Sequence, residues 1–217
     1  MTITITAFAW VPPVAQGLVR DLPVRWALEE AGLDYRERLL SLGEHKGEAY
    51  LKQQPFGQVP LYEEDGLTLF ESGAIVLHIA ERSEALLPED AARRARAKCW
   101  MFSALNTVEP FILFLNQLGQ MKTPEARTVE EPVTAAVRTR LAHLASRLEG
   151  QDYLEDDFTA GDLLMTTVLR ILRTSDLVRA DPILARYQAR CEARPAFQRA
   201  LSAHMAPFHD NGPRAQA

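Results

Sequence analysis

The sequence predicts two folds in series, an α/β domain over residues 1–82 and, after a linker at 83–90, an all-α helical bundle over 91–210. Three patterns carry this. Thr2-Ile3-Thr4-Ile5-Thr6-Ala7-Phe8 alternates polar and apolar, as a half-buried strand does. Two short apolar runs, Gln58 to Tyr62 and Leu67 to Phe70, flank a charged stretch ending in Gly66, whose glycine supplies the positive φ of a hairpin turn. Val133, Val137, Leu141, Leu144 and Leu148 step by four, four, three and four, a single apolar stripe along a long helix.

The remaining elements fall between these. Val24, Ala27, Leu28 and Ala31 recur at helical spacing, Gly32 ends that helix, and Tyr35 to Leu42 reads as extended. The N-terminal order is therefore strand, helix, strand, short helix, two strands and a helix from Gly73 to Ala80. Pro60 removes a ladder donor, so it suits an edge, a bulge or the first residue of a strand; a cis X-Pro bond there turns the Val59 amide and carbonyl outward. Pro88 with Glu89-Asp90 forms a linker and helix start, and Ala91 to Gly119 reads as one long helix. Pro124 and Pro132 are expected to break helices or start turns. Thr159-Ala160-Gly161-Asp162 fits a capping box, and residues 211–217 are expected to form a flexible tail.

Composition excludes several classes of function. The 217 residues carry a net charge of -5, which argues against a nucleic-acid partner; the cluster Arg93, Arg94, Arg96 and Lys98 reads as a solvated helix face. The most apolar stretch, Phe111 to Leu115, is far shorter than a membrane span. No secretory signal is visible, and two distant cysteines, Cys99 and Cys191, point to reduced thiols in the cytoplasm with neither a disulfide framework nor a metal site.

The ligand reading starts at Val59. A turned-out backbone there pairs with an extended peptide-like ligand as an added strand. Ser72 opens a helix whose hydroxyl and free amides favour a carboxylate, and Glu71 beside it meets an ammonium group. An amino-acid head followed by an extended peptide is the shape of γ-glutamyl-cysteinyl-glycine. Taken in order and spacing, Val59-Pro60, Glu71-Ser72, the box at Thr159 to Asp162 and Arg194-Pro195-Ala196-Phe197 resemble the glutathione transferase family, in a cytosolic, bacterial-type form, over nearly the whole chain.

The resemblance implies a thioredoxin-like N-terminal domain and glutathione as co-substrate, held by Gln58 at its glycyl carboxylate, Val59 and Pro60 at its middle, and Glu71 and Ser72 at its head. His45 and Lys46, in a polar loop, read as solvated. The resemblance further implies a small hydrophobic electrophile, with Trp10, Trp100, Phe102, Phe111 and Phe114 as candidate pocket residues, and a homodimer into whose partner Phe56 projects. No metal, nucleic acid or membrane is expected.

The chain departs from the family at one place. Between Thr6 and Tyr35 it has no serine, threonine, tyrosine or cysteine, although the family keeps a catalytic hydroxyl or thiol there to favour the glutathione thiolate. Counting back from Val24-Arg25 puts Leu18 at that position, between Gly17 and Val19. Three readings stand: backbone amides around Gly17 to Arg20 hold the sulfur, aided by the Arg20 charge; Gln16 donates; or the site binds glutathione without activating it. The leading function is a glutathione transferase acting on a hydrophobic electrophile, disulfide or peroxide. The alternative is a non-catalytic binding or interaction module of the same fold. His78, His143, His204 and His209 show no ligand spacing and receive no role.

Overall fold

The computed structural model describes residues 2–212. In chain order the elements are β1 (Ile3–Phe8), α1 (Asp21–Ala31), β2 (Tyr35–Leu40), the short α2 (Glu48–Leu51), β3 (Tyr62–Glu64), β4 (Leu67–Leu69), α3 (Ser72–Ala80), α4 (Ala91–Phe102), α5 (Glu109–Met121), α6 (Pro124–Arg147), α7 (Ala160–Leu169), α8 (Pro182–Glu192) and α9 (Pro195–Asp210). They form two compact units, one of residues up to Leu86 together with those from Arg194 onward, the other of Leu87–Ala193. Most of the flexible tail expected over 211–217 lies outside the described residues.

The first unit is thioredoxin-like. Its sheet has the order β2-β1-β3-β4, with β1 and β2 parallel and the other pairs antiparallel. Asp65 and Gly66 both take positive φ at the β3–β4 turn, as the hairpin signal requires. Ile5, Leu61, Val24, Trp26, Leu28, Ile75, Val76 and Ile79 are fully buried between sheet and helices, each contributing about 1.5–3 kcal/mol by leaving water. Gly32 takes a left-handed conformation and closes α1.

The closing helix packs differently from the 91–210 division expected above. Phe197 of α9 meets Trp26 of α1 edge-on at 4.8 Å, and Arg194 donates to both carboxylate oxygens of Glu30 at 2.6 and 2.8 Å. Arg199 pairs with Glu29 at 2.6 Å. These contacts place α9 with the α/β unit.

The second unit is all helical. Asp90 caps α4 by accepting from the Arg93 amide at 2.8 Å. A π-helical stretch, Ser103–Val108, joins α4 to α5, where the sequence suggested uninterrupted helix. Pro132 does not break α6; it stands on an exposed face, where water can satisfy the carbonyl that loses its donor. The basic cluster of α4 is more than a solvated face, because Arg93 pairs with Asp157 at 2.7 Å and Arg96 with the buried Glu155 at 2.8 Å. Gly161 lets α7 approach α4 closely, since a Cβ there would stand 2.6 Å from the Cβ of Trp100. Among the described residues no helix is long and apolar enough to cross a membrane.

Candidate functional site

Sheet register assembles the site. Tyr62 lies opposite Leu69 in the hairpin, so the residues just outside it, Val59-Pro60 and Glu71-Ser72, come to the same end of the strand pair. Ile5 lies opposite Tyr62, which brings the C-terminal half of β1 to that end as well. An apolar floor of Leu40, Tyr50, Val59 and Leu61 lies beneath, with Phe8, Val19 and Phe70 packed against it. Val19 thereby ties the loop before α1 to the proline segment.

The Val59–Pro60 bond is cis. Among the described residues the Val59 amide and carbonyl pair with no other group, as an added ligand strand requires. A relay that the sequence reading missed holds this segment from behind. The Leu61 amide donates to Thr6 Oγ1 at 2.6 Å, Thr6 Oγ1 bonds the Tyr50 hydroxyl at 3.0 Å, and that hydroxyl donates to the Gln58 carbonyl at 2.7 Å. Thr6 is fully buried although strand alternation places it on the polar face; nothing local could have revealed its partner, 44 residues away.

Glu71 stands at the N-cap of α3 with φ 68° and ψ 111°, and its side chain makes no capping bond. Ser72 is the first helical residue and only 8 % exposed. An L side chain in that φ region costs about 1–3 kcal/mol, and such strain gathers at ligand sites. The Gln58 side chain is exposed beside Val59. Lys46 is not simply solvated: its ammonium donates to the Gly57 carbonyl at 2.8 Å. His45 packs edge-on against Phe8 at 4.9 Å.

The loop before α1 settles differently from the expectation for two of its residues. The Gly17 amide, offered above to the sulfur, instead donates to Nε2 of His204 at 3.2 Å. Gln16 Nε2 donates to the Val11 carbonyl at 3.0 Å, which fastens the loop to itself. Arg20 sits half-buried at the N-cap of α1. His204, given no role from sequence, is buried on α9 with Nδ1 2.9 Å from Asp21 Oδ2. Asp21 also accepts from Arg25 Nε at 2.7 Å, and Arg25 reaches Glu37 of β2. The Asp21–Arg25 spacing is legible in a helix; the histidine, 183 residues from Asp21, is not.

Burial raises the Asp21 carboxyl, but the bonds from His204 and Arg25, together with the Arg25 charge, outweigh it and hold the group below its ordinary value of 3.8. With the folded value depressed, the unfolded chain binds more protons across that interval. The stabilisation is present above pH 3.8 and is lost as pH falls through the folded value, about 1.4 kcal/mol for each unit of depression. Asp21→Asn is expected to flatten this acid limb in denaturant titrations across pH, and a limb of unchanged slope would contradict the assignment.

The aromatic pocket candidates of the second unit are dispersed. Trp100 and Ser103 border both a cavity of about 320 Å³ with Arg96, Cys99, Arg147 and Glu155, and one of about 160 Å³ with Thr107, Arg140, His143 and Met165. Phe102 and Phe114 are exposed, and Phe111 lies under the Arg140 guanidinium. Among the described residues no cluster of three or more His, Cys, Asp or Glu could hold a metal ion.

Comparison with known proteins agrees with this geometry. Residues 16–81 match the family model for the glutathione S-transferase N-terminal domain. A glutathione S-transferase from Hyoscyamus muticus is 30% identical over 190 residues, covering 80% of this chain and 89% of its own length. Glutathione S-transferase 4 from Zea mays is 28% identical with 99% of both chains covered. The crystal structure of glutathione transferase F7 from Populus trichocarpa superposes with a TM-score of 0.78 at 25% identity, over 94% of this chain and 99% of that one. These relatives are plant proteins, which corrects the bacterial-type expectation. The cis-proline segment, the helix-capped Glu71-Ser72 pair and these similarities agree on one answer: the chain belongs to the glutathione S-transferase family.

Proposed function

We propose that the first unit binds glutathione and presents its sulfur, as the thiolate, to a small hydrophobic electrophile, a disulfide or a peroxide. The observation that carries this is the unpaired Val59 main chain beside cis-Pro60, brought by the hairpin register to the same end as the free N-terminus of α3. The cysteinyl residue pairs with Val59 as a short added strand. The γ-glutamyl carboxylate meets Ser72 and the α3 amides, its ammonium meets Glu71, and Gln58 serves the glycyl carboxylate. The sulfur then lies toward the loop before α1. There Gly17 and Gln16 are already engaged and the Leu18 amide donates to the Ala15 carbonyl at 3.0 Å, so the Val19 amide, unpaired among the described residues, provides the contact, with the Arg20 charge favouring the thiolate. Holding the thiolate near its target supplies the rest of the acceleration.

A second reading, a glutathione-binding module without turnover, draws support from the same loop, which offers no side-chain hydroxyl or thiol between Thr6 and Tyr35. Calorimetry with reduced glutathione, together with turnover of an aromatic halide and of a peroxide, separates the two. Heat of binding with turnover supports the transferase, binding alone selects the module, and no heat at millimolar glutathione sinks both. Ser72→Ala is expected to weaken glutathione by roughly tenfold or more through loss of a bond to a charged group; full affinity in that variant would remove the clamp from the account. A homodimer fits Phe56, which is 63% exposed, and a reducing compartment such as the cytoplasm fits the free thiols of Cys99 and Cys191.

A further inference from the structure

His204 bonds both the loop before α1 and the first residue of that helix. Nε2 accepts from the Gly17 amide at 3.2 Å, and Nδ1 lies 2.9 Å from Asp21 Oδ2. An acceptor Nε2 requires the neutral ring, so Nδ1 carries the proton and donates to Asp21. Gly17 and Asp21 bound the pentapeptide whose middle residues, Leu18, Val19 and Arg20, are where the glutathione sulfur is expected. Gly17 takes φ 76°, a conformation that favours glycine, and the bond from His204 holds its amide in that turn. Behind His204 the bracket is stiff: Asp21 is fixed by Arg25, Arg25 by Glu37 of β2, and α9 is fastened to α1 by Arg194–Glu30 and Arg199–Glu29. The His204 side chain is wholly buried, with Phe208 edge-on at 5.2 Å.

We propose that His204 is a positioning residue for the transferase reaction: by bonding Gly17 and Asp21 together it sets the curvature of Leu18–Arg20, and with it the contacts that hold the sulfur as thiolate. The inference rests on the functional reading above. It also has a consequence that needs no ligand, because a loosened bracket exposes loop amides to solvent. The residue touches neither glutathione nor the electrophile in this account and acts through the loop.

Two conservative variants separate its two bonds. His204→Asn keeps a donor near the Nδ1 position but withdraws the acceptor from Gly17, whereas His204→Gln carries an oxygen out to where Nε2 stood. In the unliganded full chain, hydrogen exchange of the hydrogen-bonded Gly17 and Leu18 amides is expected to accelerate roughly tenfold or more in the asparagine variant and to recover in the glutamine one, with thermal unfolding confirming that both fold. With glutathione bound, the thiol of the asparagine variant is expected to titrate about one unit higher, followed by ultraviolet thiolate absorbance. At neutral pH kcat then falls roughly tenfold while the glutathione Kd stays within about twofold. Unchanged loop exchange in a folded His204→Asn protein overturns the bracket whatever the ligand does. Faster exchange with an unchanged thiol titration overturns its link to the sulfur. A wild-type chain that shows no heat with glutathione overturns the functional reading instead, and this inference with it, while the exchange result still decides whether His204 orders the loop.

Discussion

Asp162→Ala is expected to lower the stability of the second unit by about 3–5 kcal/mol, a loss read as a shift of the urea midpoint without change of slope. The carboxylate is fully buried and accepts from four donors: the Leu154 amide at 2.8 Å, the Thr159 amide at 2.9 Å, Tyr187 Oη at 3.0 Å and Thr159 Oγ1 at 3.1 Å. Burial pushes this carboxyl above the ordinary aspartate range, and the amide and hydroxyl donors pull the other way. Truncation to alanine strands donors from three parts of the unit at once: the loop before α7, the cap of α7, and α8 through Tyr187. Each stranded buried donor costs about 1–3 kcal/mol. Asp162→Asn keeps one acceptor oxygen and turns an amide toward Thr159, so about half the loss is expected. Thr159→Ala, which removes only its own bonds, costs about 1 kcal/mol. Equal losses in all three variants would mean that the cap, rather than the network, carries the stability.

That capping box is readable in sequence because its members are three residues apart, and so is much of the first unit. Alternation in Ile3 to Phe8 locates β1, Asp65-Gly66 locates the hairpin, and Pro60 marks the backbone that turns outward. Each is a local signal with a local cause. What sequence could not supply is the partner of a buried polar group across the fold. Thr6 bonds Tyr50 and Leu61, and the Gly17 amide meets a histidine 187 residues further along, so a backbone donor that reads as available is already engaged. The α9 start at Arg194-Pro195 is likewise visible as a helix start, but its packing on α1 depends on Phe197 meeting Trp26, which no period in either helix specifies. The π-helical stretch after Phe102 also has no local signature, since Ser103 to Val108 contains neither proline nor glycine.

Glu71 is where the local and the functional requirements oppose each other, and substitution there should move stability and binding in opposite directions. At φ 68° and ψ 111° an L residue is strained by about 1–3 kcal/mol. Glycine relieves this and gives back about 0.5–1 kcal/mol through the greater freedom of the unfolded chain. Glu71→Gly is therefore expected to unfold at an equal or higher temperature than the wild type. The same change removes the carboxylate assigned to the glutathione ammonium, a charged bond of about 1.5–3 kcal/mol, so affinity should fall roughly tenfold to more than a hundredfold by calorimetry. Glu71→Gln separates the causes: it keeps the strain and a hydrogen-bonding head but loses the charge, so its stability should match the wild type and its affinity should fall between the other two. A glycine variant that binds glutathione as tightly as the wild type would mean that the strained backbone serves some other contact. One that unfolds earlier would mean that the Glu71 side chain stabilises the turn itself, and that the unusual φ is a cost the fold already offsets through bonds of its own.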